Sequence, residues 1–306
     1  MIDKKALVIV NPTAHNLPAQ EALEETDEWL RAQGWQVRWE VTQEPGHATE
    51  LARGAAEEDL SVVFACGGDG TLREAAGGLV GSRTALGMIP AGTVNIWARE
   101  TKIPRKPLGA VKALLSGEKR WVDLGKAGEH YFLLMAGYGL DGAISKRVSL
   151  RAKRRAGASA YALAALREAL GYRGKPLTLF LDGEHEQITT TALMLVLGNT
   201  RNYAGLVEVT PKAYVDDGLM DVCLFQGRGL IDILLQGLGV VLRRHVRSAR
   251  VIYRRARRIE LQWSEPFPMQ LDGDTVNDAV RVIEVAPRSL LVLVPEKGKK
   301  APIFLP

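Results

Sequence analysis

An unbroken apolar run, Ala6-Leu7-Val8-Ile9-Val10, opens the chain and stops at Asn11-Pro12. It is too short for a helix and carries no polar alternation, so it predicts a strand buried on both faces. A helix bearing apolar Ala22, Leu23, Trp29 and Leu30 follows, and Gln36–Val41 predicts a second strand. The alternation continues with a helix over Glu50–Ala56, a strand over Ser61–Cys66, a helix from about Leu72 to Val80 and a strand over Ala85–Ile89. Strands alternating with helices build a doubly wound parallel sheet, whose ligands sit beyond the carboxyl ends of the strands.

From Trp121 the texture changes. Further strands are expected at Tyr131–Ala136, Leu177–Asp182, Thr190–Leu197, Met220–Phe225, Arg257–Trp263, Met269–Leu271, Val280–Val285 and Leu290–Val294. Only two helical stretches interrupt them, around Ser159–Leu170 and Leu230–His245. This pattern predicts a mostly antiparallel, β-sandwich-like domain after the α/β domain. The boundary is expected near Asp123, giving domains 1–123 and 124–306, with the closing residues free to pack back on the first. A chain of 306 residues has room for both cores.

Charge adds a second pattern to the net +5. No acid interrupts Gly142–Arg167, where Lys146, Arg147, Arg151, Lys153, Arg154, Arg155 and Arg167 accumulate. A second acid-free stretch holds Arg243, Arg244, Arg247, Arg250, Arg254, Arg255, Arg257 and Arg258. Such stretches are either solvated faces or attract polyanions, and the few aromatics among them disfavour RNA. Cys66 and Cys223 are too few for a disulfide framework and lack zinc spacing, which points to a reduced, cytoplasmic setting. The run 6–10 is too short for a signal peptide, and Leu230–Leu242, broken by Asp232 and Gln236, falls short of a membrane span. Contact with a membrane would therefore be peripheral and transient. An unpaired edge in the β domain offers a route to a homodimer.

The chemistry concentrates at Gly67-Gly68-Asp69-Gly70-Thr71, directly after a predicted strand and before a helix. Glycines there let backbone N–H groups approach an anion, and the helix N-terminus adds partial positive charge. Thr71 can cap the helix or donate to a phosphate, and Asp69 can hold Mg²⁺ or accept a proton. A second glycine-bearing loop, Gly87–Asn95, ends the next strand and offers Thr93 and Asn95 as donors.

These loops, with Asn11-Pro12, Pro90-Ala91-Gly92-Thr93-x-Asn95-x-x-Ala98-Arg99, Pro211-x-Ala213-x-x-x-Asp217-Gly218-x-x-Asp221 and Leu271-Asp272-Gly273-Asp274, resemble the diacylglycerol kinase catalytic-domain family. The resemblance spans nearly the whole chain. It implies ATP and Mg²⁺ as cofactors and a membrane lipid hydroxyl as acceptor, with nucleotide and lipid meeting between the domains. It places ATP over Gly67, Gly68, Asp69, Gly70 and Thr71, lined also by Asn11, Thr42 and Thr93. It assigns the general base to Asp274, where the family carries Glu, with Asp69 next in line. A structural Mg²⁺ would sit on Asp217 and the carbonyls of Tyr214 and Leu219. The chain departs from the family in reading Thr13-Ala14-His15-Asn16 after Asn-Pro, and Tyr203-Ala204-Gly205 after Gly198-Asn199.

Other features resolve differently. Gly137-Tyr-Gly139-Leu-Asp-Gly142 imitates a dinucleotide fingerprint but lacks the following acid, leaving Asp141 as an active-site candidate. Asp182-Gly183-Glu184 imitates the family's catalytic tripeptide between two strands and reads as a hairpin turn. His185-Glu186 lacks the second His of a zinc helix, and His47 reads as loop or cap. Alternatives to the lipid kinase are a soluble-substrate kinase of the NAD-kinase type, a nucleotide or lipid sensor without turnover, and a nucleic-acid binder.

Overall fold

The computed structural model describes residues 4–147, 167–183, 186–265, 267–276 and 280–305. Arg151, Lys153, Arg154 and Arg155 of the first basic run lie outside these, as do Glu184, His185 and most of the helix expected at Ser159–Leu170. Two compact units result. The first holds residues to Leu124, Val215–Asp217 and those from Pro287; the second holds Gly125–Tyr214 and Gly218–Ala286.

The first unit contains β1 (Lys5–Val10), α1 (Gln20–Ala32), β2 (Gln36–Val41), α2 (His47–Glu57), β3 (Val62–Gly67), α3 (Asp69–Leu79), β4 (Ala85–Pro90), α4 (Ile96–Glu100) and α5 (Pro107–Leu115). Its sheet runs β4-β3-β1-β2, all parallel, with Val8 opposite both Trp39 and Phe64 and Phe64 opposite Gly87. Every residue of β3 and β4 is buried, α2 packs on α3 and α1 on α5, as the unbroken apolar runs require. His47 is the first residue of α2, and its Nδ1 accepts the Gln43 N–H at 3.1 Å.

The second unit contains the end of β5 (Glu118–Ala127), then β6 (His130–Phe132), β7 (Met135–Gly139), α6 (Leu140–Arg147), β8 (Lys175–Leu181) and β9 (Glu186–Gly198). After these come β10 (Asn202–Tyr203), β11 (Val207–Glu208), β12 (Met220–Gln226), α7 (Leu230–Val241), β13 (Val251–Ala256), β14 (Arg258–Gln262), β15 (Met269–Leu271), β16 (Asp274–Val276) and the start of β17 (Val282–Val294). The strands pair antiparallel in the order β16-β15-β7-β9-β8-β14-β17, with β12 joining β9 to β13. Alternate residues of the central strands enter different cores: Leu195, Leu197, Val222 and Leu224 one, Val196, Cys223 and Phe225 the other. A doubly wound sheet and a sandwich-like β domain are therefore both present.

Three local expectations change. The helix expected from Leu72 begins at Asp69, because Gly68 already takes the cap position. The strand expected over Tyr131–Ala136 splits into β6 and β7, because the amides of Leu133, Leu134 and Met135 turn to the Asp272 carboxylate. The two runs at Val280–Val285 and Leu290–Val294 join as β17, whose later residues lie parallel to β4 with Val292 opposite Leu86.

Both cysteines are fully buried, and burial alone pushes the Cys66 thiol up to about 12. Cys223 is pushed up as well, first by burial and then by the nearby Asp221. Because the thiolate is the reactive form, iodoacetamide is expected to label neither residue in the folded protein at pH 8 and both after denaturation. Mass spectrometry reads the outcome, and labelling of the folded protein would contradict this placement.

Candidate active site

The first site grows from the strand ends of the parallel sheet. β3 ends at Gly67 and α3 starts at Asp69, so Gly68 holds the cap position and supplies no capping side chain. The first-turn N–H groups of a helix have no carbonyl partner within it, and together they form a site for an anion. The Ala91 N–H donates to the Gly67 carbonyl at 2.8 Å, bringing the second loop alongside the first. A Cβ added at Gly92 would lie 2.5 Å from the Gly68 Cα and 2.7 Å from Asn95 Oδ1. One added at Gly68 would lie 3.3 Å from the Gly92 Cα. The two loops thus meet backbone to backbone, with no room for a side chain between them.

Polar side chains lock this arrangement. Asn95, at φ 52°, accepts the Gly92 N–H at 2.9 Å and donates to the Gly92 carbonyl at 2.8 Å. Asn16 donates to that same carbonyl at 2.8 Å and, through its backbone, to Ala91. Asn11 donates from Nδ2 to Thr71 Oγ1 at 3.0 Å, while its own N–H reaches the Cys66 carbonyl. Thr71 is therefore a first-turn residue tied to Asn11 and not the helix cap, since a cap must precede the helix. Thr42 follows β2 and donates its N–H to Val10 at 2.9 Å, and Thr93 is exposed on the loop after Gly92. Asn11, Thr42, Gly67, Gly68, Gly70, Thr71 and Thr93 all fall at or just beyond the carboxyl ends of β1 to β4. Asn16 carries no motif signal; only its place after Asn11-Pro12 could have drawn attention to it.

Asp69 has a second partner. Its carboxylate accepts the N–H groups of Ile96 at 2.9 Å and Trp97 at 3.3 Å, satisfying the start of α4. This places an acidic group at a helix N-terminus, where it is favoured, and fixes the approach of the second loop to α3.

In the second unit, Asp274 is the first residue of β16, paired with Leu271 across the Asp272-Gly273 turn. Both turn residues have positive φ, 49° and 90°, as a two-residue type I′ hairpin requires. The Asp272 carboxylate accepts three backbone N–H groups, from Leu133 at 2.8 Å, Leu134 at 2.9 Å and Met135 at 2.8 Å. Gln270 Oε1 accepts the Gly273 N–H at 2.5 Å, and its Nε2 donates to Asp141 Oδ2 at 2.8 Å. Asp141 is 1% exposed and also accepts from the Tyr203 hydroxyl. The glycines around Asp141 serve this packing: a Cβ at Gly137 would strike the Asp141 carboxylate, and one at Gly142 the Pro268 carbonyl. Gln270 has no motif signal, and its position two residues before a known turn is all that marks it.

Asp182 and Gly183 take the same left-handed backbone, with φ of 49° and 82°, and the Asp182 carboxylate accepts the N–H groups of Arg257 and Arg258, both at 2.8 Å. The turn joins β8 to β9 as a hairpin.

The loop 214–219 carries the remaining expected residues. Gly218 turns it at φ 72°, Tyr214 lies under the Arg201 guanidinium at 4.9 Å, and Asp216 accepts the Leu305 N–H at 2.8 Å. Just beyond, buried Asp221 accepts from the Tyr253 hydroxyl at 2.6 Å, and that hydroxyl accepts the Lys212 N–H at 3.2 Å. Burial pushes the Asp221 carboxyl up to about 6, against the hydrogen bond from Tyr253. No group of three His, Cys, Asp or Glu converges among the described residues. A cation on this loop would rest on one carboxylate and backbone carbonyls, an all-oxygen set of the kind Mg²⁺ takes.

A helix N-terminus without a capping side chain in one unit and a carboxylate-bearing hairpin in the other are parts that a phosphotransferase with an alcohol acceptor uses, and the matches to known proteins place the chain in that class. Residues 5–127 match the diacylglycerol kinase catalytic domain, and residues 135–294 match the YegS C-terminal NAD kinase beta sandwich-like domain. The chain belongs to the diacylglycerol kinase catalytic-domain family. It is 28% identical to a diacylglycerol kinase of Bacillus subtilis over 274 residues, 89% of this chain and 90% of that one. It is 29% identical to a diacylglycerol kinase of Staphylococcus carnosus over 277 residues, 89% of each chain. A crystal structure of a diacylglycerol kinase from Bacillus anthracis superposes with TM-score 0.71 at 21% identity, covering 95% of this chain and 97% of the other. A second Bacillus anthracis structure gives TM-score 0.80 at 24% identity over 95% of each. These likenesses to solved structures speak to the fold.

Proposed function

We propose that this protein transfers the γ-phosphoryl group of ATP to the hydroxyl of diacylglycerol or a closely related membrane lipid. The backbone contact between Gly68 and Gly92 carries the nucleotide half of this reading, because it brings the second loop against α3's N-terminus with no side chain between the two glycines. The names of the curated relatives support the lipid half. Phosphate oxygens would be held by the amides of Gly67 to Thr71, with Asn11, Thr42 and Thr93 lining the rest of the nucleotide. Asp274 would accept the proton of the lipid hydroxyl as its oxygen bonds to the γ-phosphorus and the bond to the β–γ bridging oxygen breaks, releasing ADP. Bound Mg²⁺ supplies charge neutralisation at the phosphates. Asp217 with the carbonyls of Tyr214 and Leu219 would hold a structural Mg²⁺. Asp69, engaged at the start of α4, orders the cradle first and serves as base only if its Ile96 and Trp97 contacts open.

Gly92→Ala would place a Cβ inside contact distance of the Gly68 backbone, and backbone cannot yield as a flexible side chain can. ATP affinity is expected to fall tenfold or more, about 1.4 kcal/mol, by titration calorimetry. Unchanged affinity would remove the glycine contact from the nucleotide site. Incubation with ATP, Mg²⁺ and a panel of lipid alcohols in detergent micelles tests the whole reading: diacylglycerol should yield phosphatidic acid. Phosphorylation of NAD and of no lipid would replace it with a soluble-substrate kinase.

A further inference from the structure

α7 is inverted for a helix of a water-facing surface. Ile231, Leu234, Leu235, Leu238, Val241 and Leu242 are 74, 56, 56, 57, 65 and 54% exposed. Their spacing puts them along one stripe. The opposite side is the one the protein covers: Gln236 is buried and donates to the Gln226 carbonyl at 2.6 Å, Val240 joins the Phe225 core, and Ile233 packs with Leu140 and Ile144. A helix that buries a glutamine and exposes leucines is not serving the core, and an apolar stripe of this size marks an interaction surface. Leu206, 73% exposed in the turn before β11, extends the patch, because β11 contacts α7.

What covers the stripe is indicated by charge. The helix runs directly into exposed Arg243, Arg244 and Arg247. None of the three has an ion-pair partner among the described residues, whereas Asp232 on the helix is paired with Arg250. The helix stops as Arg243 donates its N–H to Val240 at 2.9 Å and Arg244 donates to Gly239 at 2.8 Å. That stop normally takes glycine at the left-handed position, yet Arg243 occupies it at φ 55°. In an isologous contact, where residue i meets residue j, α7 of a second copy would offer these arginines only Asp232, which Arg250 already holds. An anionic leaflet attracts them instead.

We propose that α7 is the membrane-docking element, lying flat in the headgroup region of an anionic leaflet with its leucine stripe inserted and Arg243, Arg244 and Arg247 on lipid phosphates. The proposal deepens the lipid-kinase reading and rests on its acceptor being a bilayer lipid. At about 1.5 Å per residue, the 12 residues of α7 are too short to cross, and no helix among the described residues is long and apolar enough to do so. The inserted helix is also tied to the proposed base within the same unit. Ile233 packs on Leu140, the next residue Asp141 accepts from Gln270, and Gln270 holds the turn before Asp274.

Sedimentation with phosphatidylcholine vesicles, with and without phosphatidylglycerol, tests it on three proteins. The parent should bind the phosphatidylglycerol vesicles more tightly, and salt should weaken that binding. Leu234→Gln with Leu238→Gln should weaken binding about tenfold or more. Arg243→Gly should weaken it about fivefold on the anionic vesicles only, with no loss of thermal stability, because glycine suits that backbone position. Phosphorylation of vesicle-borne dioleoylglycerol should fall in step with binding, while water-dissolved dihexanoylglycerol is phosphorylated as by the parent. Variants that bind like the parent would overturn the proposal. So would a parent dimer that the Leu234/Leu238 variant splits while vesicle binding stays unchanged. Vesicle binding that follows these variants, with neither glycerol phosphorylated, would support docking and sink the lipid-kinase reading alone.

Discussion

Asp274→Asn is expected to lower kcat for lipid phosphorylation by about a hundred- to ten-thousand-fold, the usual contribution of a positioned general base, while leaving ATP affinity within twofold. Asparagine keeps the size of the side chain and removes its capacity to take a proton. The residue is half-buried on a short strand whose turn is held from two sides, so the substitution should not disturb the fold. Asp274→Glu, which restores the carboxylate length of the family pattern, should retain activity. Steady-state rates in mixed micelles separate the cases: loss in Asn with retention in Glu marks a base, and equal loss in both marks a site that tolerates no change of shape. An Asn variant as fast as the parent would move the proton acceptor elsewhere, Asp69 first.

Asp272→Ala should produce the largest loss of stability. Three amides, of Leu133, Leu134 and Met135, lose one charged acceptor at once. An unsatisfied amide in the interior costs about 1–3 kcal/mol. Partial exposure of the turn lets water recover some of this, leaving about 3–5 kcal/mol. For a unit of this size that corresponds to a fall in Tm of about 6–20 °C. Asp272→Asn, which keeps one acceptor oxygen, should fall between the parent and alanine. Asp182→Ala on the look-alike turn loses only two exposed contacts and should cost about 1 kcal/mol. Calorimetry showing equal losses at the two turns would contradict the role given to Asp272.

The parallel sheet was legible because β1, β3 and β4 are buried on both faces, which leaves unbroken apolar runs between glycine and proline stops. The Gly67–Thr71 turn and both Asp-Gly hairpins were legible for a local reason too, since left-handed turns and close backbone approach restrict the residue types allowed. What escaped was set by partners far along the chain. β6 and β7 part because Leu133 turns to a carboxylate 139 residues away. Asp69 binds amides 27 and 28 residues on, which no motif records. Residues 230–242 are apolar enough to suggest a helix, but periodicity alone does not reveal that the leucine side faces outward, since Ile233 and Val240 offer a second stripe. Only the packing of Gln236 and Val240 decides the inward face.

The proposed reaction is phosphoryl transfer to a lipid hydroxyl. The most direct measurement is transfer of labelled γ-phosphate from ATP, with Mg²⁺, to diacylglycerol in mixed micelles, with parent and Asp274→Asn side by side. A labelled lipid product made by the parent and nearly lost in the variant is the predicted result. No labelled lipid from a parent protein that binds ATP would contradict it.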